Sequence, residues 1–204
     1  FRETYMMSKV LAIGAHPDDV EVGCAGYLQK FSDRHILVLT RGEAGGDPKV
    51  RYEEAHNAAA IIGATCSVYS LEDTNLLLCD AVSVIENEIK AFNPTLILTM
   101  SERDIHQDHR TTYEATRIAV RNKPVTTLSY AGPSCLKDFS PSWFVSLNQR
   151  ELDKKFEAIK IHESQSHRRY LNKNTLTNQA RYWATATRSQ AFYIEPYSLI
   201  EYWE

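Results

Sequence analysis

Lys9-Val-Leu-Ala-Ile-Gly-Ala-His-Pro-Asp-Asp19 joins an apolar run of strand length to a loop carrying one histidine and two carboxylates. A run of six residues that ends in glycine is short for a helix and suits a strand buried on both faces. Outward from it, similar runs recur at 35–40 (HILVLT), 66–69 and 95–99 (TLILT), while stretches of helical period lie near 23–32, 48–63, 80–92 and 109–122. Alternation of this kind predicts parallel strands linked by crossover helices. The expected class is α/β, with a mostly parallel, Rossmann-like sheet and helices on both faces. Asp47-Pro48 suits an N-cap followed by proline at the first helical position, and Gly63 suits a C-cap. Beyond about residue 130 the alternation weakens. Gly132-Pro133 and Ser140-Pro141 mark turns before a helix at 148–162 and a final strand at 191–195.

Of the 204 residues, 43% are hydrophobic, enough for one sizeable core, and no linker or repeat divides them. Residues 1–204 therefore read as a single domain. Residues 1–5, ahead of Met6 and Met7, read as an appended remnant, and residues 1–8 are expected to lie outside the folded part. The net charge is -3 and no long basic run occurs, which argues against nucleic acid or an anionic membrane as partner. No apolar stretch reaches the roughly 20 residues of a membrane span. Small molecules are the expected partners, and self-association into a homo-oligomer stays open. Cys24, Cys66, Cys79 and Cys135 form no C-x-x-C pair. They suit buried packing in a reducing, cytoplasmic compartment.

The chemistry concentrates in two short segments. Ala15-His16-Pro17-Asp18-Asp19 follows the first strand, and Asp104-Ile105-His106-Gln107-Asp108-His109 follows the fourth. Open α/β sheets bind ligands at the carboxyl ends of their strands, and in a sheet of order 3-2-1-4 strands one and four are neighbours. The two segments are thus expected to meet. Alone, Asp18-Asp19 is an ordinary N-cap pair, and His-x-x-His is common on helix surfaces; convergence gives them meaning. A catalytic zinc takes three protein ligands and keeps one position for water. His16, Asp19 and either His106 or His109 would supply the three. The adjacent Asp18 must point elsewhere, free to contact the water. Asp108 is placed to hold an imidazole and raise its pKa.

These residues, with Gly23-Cys24-Ala25-Gly26, Leu39-Thr40-Arg41-Gly42-Glu43, Arg51-Tyr-Glu-Glu54 and His162-Glu-Ser-Gln165, resemble the LmbE-like (PIG-L) zinc-dependent deacetylases over roughly residues 9 to 165. The resemblance implies a zinc ion on His16, Asp19 and His109, with iron or another divalent ion as an option. It implies Asp18 as general base, His106 as helper of the oxyanion or the leaving amine, and Asp108 as the tuning partner of His106. The implied substrate is an N-acetylated amino sugar or glycoconjugate that loses acetate, and residues 130–204 would shape its pocket. Arg51 resembles a substrate-contacting residue, against the alternative of a solvated arginine paired with Glu54. Asp104 stands where some members carry a tyrosine, and it and His162 are further substrate-side candidates. Val20 separates the Asp pair from Glu21, and Gln107 replaces a frequent proline.

Three rivals are weighed against this. A dinucleotide-binding oxidoreductase lacks its G-x-G-x-x-G after the first strand, and the second strand ends in Thr40-Arg41 without an acidic ribose partner. A metallohydrolase acting on another amide or a phosphoester would use similar ligands. A non-catalytic sugar-binding module would not need an acid at position 18.

Overall fold

A computed structural model describes residues 9–203; residues 1–8 and 204, and with them the expectation for residues 1–8, lie outside the described residues. Seven strands form one sheet in the order β3-β2-β1-β4-β5-β7-β6: β1 (Lys9–Gly14), β2 (Asp33–Thr40), β3 (Thr65–Leu71), β4 (Leu96–Met100), β5 (Thr126–Tyr130), β6 (Trp143–Leu147) and β7 (Tyr193–Glu201). The first five in chain order pair in parallel, β1 with both β2 and β4. The expected 3-2-1-4 arrangement is present. β7 runs antiparallel to β5 on one side and to β6 on the other.

Helices α1 (Asp19–Leu28), α2 (Pro48–Ile62), α3 (Leu78–Phe92), α4 (Gln107–Val120), α5 (Gln149–Lys160) and α6 (Lys173–Ala186) cover both faces. The period-2 geometry of β1 explains the two cores. Val10 and Ala12 pack with α1, α2 and α5, whereas Leu11 and Ile13 pack with α3 and α4. α2 starts where Asp47 accepts hydrogen bonds from the Lys49 and Val50 amides with Pro48 in its first turn, and it ends on Gly63 in the left-handed region.

Several boundaries depart from the sequence expectations. α1 begins at Asp19 rather than near 23, after a loop of only four residues, 15–18, with Asp18 at its N-cap. α4 begins at Gln107 rather than 109, with the imidazole of His106 as its cap: Nδ1 accepts from the Asp108 amide at 3.2 Å. The last strand is Tyr193–Glu201 rather than 191–195, and β5, β6 and α6 had no counterpart among the expected elements.

Candidate metal centre

The carboxyl ends of β1 and β4 lie side by side, so the loop 15–18 and the start of α4 share one crevice. There His16 Nδ1 lies 3.3 Å from His109 Nε2. Asp19 offers Oδ2 at 3.4 Å from the first and Oδ1 at 3.4 Å from the second. All three residues are buried. Their ligand atoms form a triangle of the size that one ion can span.

The outer nitrogen of each ring shows why those atoms face inward. His16 Nε2 meets two carboxylate oxygens, Asp108 Oδ2 at 3.1 Å and Asp73 Oδ1 at 3.0 Å; His109 Nδ1 meets Asp104 Oδ2 at 2.9 Å. A carboxylate only accepts, so each outer nitrogen carries the proton and each inner one presents its lone pair. Two lone pairs and a carboxylate converging on one point suit a divalent cation. In the metal-free protein a proton takes the cation's part. Burial opposes charge on His109, yet the Asp19 charge and the hydrogen bond to Asp104 prevail and raise its pKa to about 9. Burial likewise opposes charge on His16, and its hydrogen bonds to Asp108, Asp19 and Asp73 prevail to raise it. A second grouping, His16 with His106 and Asp108, is less suited to an ion. The Asp108 oxygens already accept from the Thr74 and Leu76 amides as well as from His16, and His106 Nδ1 is committed to its cap.

Asp18 stands beside the triangle in a left-handed conformation, φ 106° and ψ -24°, that a residue with a side chain seldom adopts. This turn separates its carboxylate from that of its neighbour Asp19. The surroundings impose it. Arg51 Nη2 donates to Pro17 O at 2.7 Å and lies 3.6 Å from Asp18 Oδ1, while the Tyr170 hydroxyl donates to Asp18 Oδ2 at 3.2 Å. Burial, followed by the Asp19 charge, pushes the Asp18 pKa up to about 6, against the pull of His162, Arg51 and His16.

His106 stacks on His109 with ring centroids 4.6 Å apart. Because its Nδ1 accepts from an amide, the neutral ring carries its proton on Nε2. Burial and the charges of His16 and His109 lower its pKa. The expectation that Asp108 is the partner of His106 is corrected. The first turn of α4 aims the Asp108 carboxylate across the crevice at His16, and only its backbone amide serves His106.

Three substrate-side expectations change as well. Asp104 is buried and fully engaged, with Oδ2 on His109 and Oδ1 accepting from the His106 amide and from Ser134 Oγ, so it orients a histidine and has no oxygen left for a substrate. His162 is 1% exposed and does not line the cavity; its nearest carboxylate oxygen, Glu21 Oε2, is 3.6 Å away. Arg51 is no solvated helix-face residue. It is 4% exposed, its Nη groups hold the carbonyls of Gly42 and Pro17, and Glu54 instead accepts from the Ser164 amide and hydroxyl. It does border the cavity, of about 350 Å³, together with His16, Asp18, Asp19, His106 and His109.

Asp73, Ser134, Arg168 and Tyr170 also line it, and the sequence reading passed over all four. Asp73 was the most accessible of them, since it follows β3 at the same sheet edge as the two motifs.

Fold and site define a doubly wound α/β protein with a buried His/Asp cluster of metal-binding type at the switch point of its sheet. Residues 11–120 match the PIG-L family, GlcNAc-PI de-N-acetylase, and the chain belongs to it. It is 36% identical over 168 residues to the uncharacterized deacetylase YaiS of Escherichia coli strain K12, covering 76% of this chain and 90% of that protein. Among solved structures, GalB, the 4-carboxy-2-hydroxymuconate hydratase of Pseudomonas putida KT2440, superposes with a TM-score of 0.81 at 19% identity, over 96% of this chain and 97% of the other. The N,N'-diacetylchitobiose deacetylase of Pyrococcus horikoshii superposes with a TM-score of 0.80 at 19% identity, over 95% of this chain and 84% of the other. Those two likenesses concern the fold. Among the described residues no helix is long and apolar enough to cross a membrane.

Proposed function

We propose that the chain is a zinc-dependent N-deacetylase that releases acetate from an N-acetylated amino sugar or its conjugate. The observation that carries this reading is the pairing of Asp18 with the triangle of His16, Asp19 and His109: a carboxylate with raised pKa beside, and outside, a set of inward lone pairs. Zinc held by those three residues would polarise the acetamide carbonyl and acidify a water.

The remaining steps belong to the chain's own groups. Asp18, as carboxylate, takes a proton from the attacking water and passes it to the leaving nitrogen. Tyr170 and Arg51 keep the carboxylate aimed while this happens. Neutral His106 donates its Nε2–H to the oxygen that becomes negative as the carbonyl is attacked. Asp104 orients His109, and Asp108 and Asp73 orient His16. Segments after residue 130 supply Ser134, Arg168 and Tyr170 to the cavity wall and select the substrate.

Acetate release from a panel of N-acetylated sugars and conjugates by the zinc-loaded protein tests the reading. Asp18→Asn is expected to lower kcat by ~10²–10⁴-fold with zinc still bound. Acetate release undiminished by that change would remove Asp18 as base, and phosphate release from sugar phosphates with no acetate from any amide would move the chain to the phosphoester class.

A further inference from the structure

Two arginines border the cavity, and they differ in what their guanidinium groups touch. Arg51 is buried and both its Nη groups hold backbone carbonyls. Arg168 is half-buried, and its Nε donates to Gln165 Oε1 at 2.6 Å. Gln165 is itself fully buried and anchored through its Nε2 to Gly45 O at 3.1 Å. One edge of the Arg168 fork is therefore fixed. Among the described residues neither Nη1 nor Nη2 makes a hydrogen bond or ion pair.

The fork is also given room. A Cβ at Gly45 would stand 3.2 Å from Arg168 Nη2 and 2.8 Å from Arg51 Nη1, so the glycine keeps space between the two cations. Tyr170 lies between Arg168 and the general base: its ring centroid is 6.0 Å from the guanidinium carbon, and its hydroxyl holds Asp18. An acetamide at the metal triangle thus leaves Arg168 facing some other part of the same molecule. A guanidinium held at one edge with two open donor groups matches two oxygens of one carboxylate or phosphate. Asp18, Asp19 and Asp73 on the same wall are acidic and would repel such a group, and the second arginine there, Arg51, has both its Nη groups spent on the carbonyls of Gly42 and Pro17.

We infer that Arg168 is a specificity-determining residue that binds an anionic oxygen group, carboxylate or phosphate, carried by the amino sugar away from its acetamide. This rests on the deacetylase reading for the sugar, but not for the anion. Calorimetry on zinc-loaded protein carrying Asp18→Asn, which stalls turnover, compares three ligands: the methyl α-glycoside of N-acetylglucosamine, its carboxymethyl α-glycoside, and N-acetylglucosamine 1-phosphate. At least one anionic sugar is expected to bind tenfold or more tighter than the neutral one, and the larger preference identifies which anion is read. Adding Arg168→Gln is expected to shrink that preference to within twofold; Arg168→Lys, with charge but no fork, keeps part of it. Equal affinity for all three ligands, or a preference that survives Arg168→Gln, overturns the inference. Inorganic phosphate separates the two readings. If no sugar binds but phosphate binds and is lost on Arg168→Gln, the anion site stands and the amino-sugar reading falls; if phosphate also fails to bind, both fall.

Discussion

Asp18 concentrates the residue-scale argument, because its backbone strain and its raised pKa have separate causes. A left-handed non-glycine residue costs ~1–3 kcal/mol and survives only where neighbours over-determine it. Here they are the Arg51 bridge to Pro17 and the Val22 amide, which donates to Asp18 O at 3.0 Å. The pKa sets the acid limb of activity. In the proposed reaction Asp18 works as carboxylate, so kcat/KM is expected to fall as pH drops through its pKa of about 6. A bound divalent cation would oppose that rise, so a pH profile of the zinc-loaded enzyme is expected to place the acid limb at or below about 6. A limb near 8 would point to another base. Asp104 yields a second prediction: Asp104→Asn leaves His109 free to turn its proton inward and is expected to weaken zinc affinity ~10–100-fold, read by competition with a chelator. Unchanged affinity would mean that packing alone orients the ring.

At the scale of elements, α1 is placed by what its glycines leave out. A Cβ on Gly23 would meet the Tyr130 ring at 2.0 Å, and that ring is pinned because its hydroxyl donates to Ile13 O at 2.7 Å. Gly23→Ala is expected to destabilise the fold by ~1–3 kcal/mol in urea unfolding, with loss of activity as α1 and its Asp19 are displaced. The Gly23-Cys-Ala-Gly26 stretch was visible in sequence only as part of a resemblance; its packing partner was not, because β5 went unseen. Thr126-Thr-Leu-Ser-Tyr130 has a single aliphatic residue and is too short and polar to stand out as a buried strand. α6, Lys173–Ala186, is rich in Asn and Thr and breaks the helical reading with residues of modest propensity. By contrast β1 to β4 are continuous aliphatic runs or sit at regular spacing, and α2 announces both its ends. The site divides in the same way. Seven of its residues, His16, Asp18, Asp19, Asp104, His106, Asp108 and His109, lie in two short segments and could be read together, whereas Asp73, Ser134 and the pair Arg168 and Tyr170 come from three other stretches of chain and carry no local pattern. Nor could spacing reveal that Asp108 crosses to His16, since that depends on how the first turn of α4 faces β1.

For the whole molecule, the His16, Asp19 and His109 cluster is supplied by the parallel part of the sheet, while the antiparallel part holds α1 in place. Glu195 of β7 joins the two. Its carboxylate accepts from Lys155 Nζ at 2.6 Å, the Gly26 amide at 3.0 Å, the Tyr27 amide at 2.7 Å and the Tyr197 hydroxyl at 2.9 Å. Four donors on one buried acid leave no tolerance for a neutral amide. Glu195→Gln is expected to cost ~3–5 kcal/mol, seen as a lowered denaturation midpoint, because the buried Lys155 charge loses its partner. A loss below about 1 kcal/mol would show that Lys155 reaches water instead.

β7 has one more consequence, for the order in which the protein can be made. It lies between β5 and β6, so β6 has no sheet neighbour until residues near 200 have been synthesised. On the ribosome β1 to β5 can assemble early and α5 can dock on α1 and α2, while β6 waits unpaired with apolar surface uncovered and Lys155 without its acid. Release of a chain cut short before β7 would leave that surface exposed for good, giving quality-control proteases a ready target.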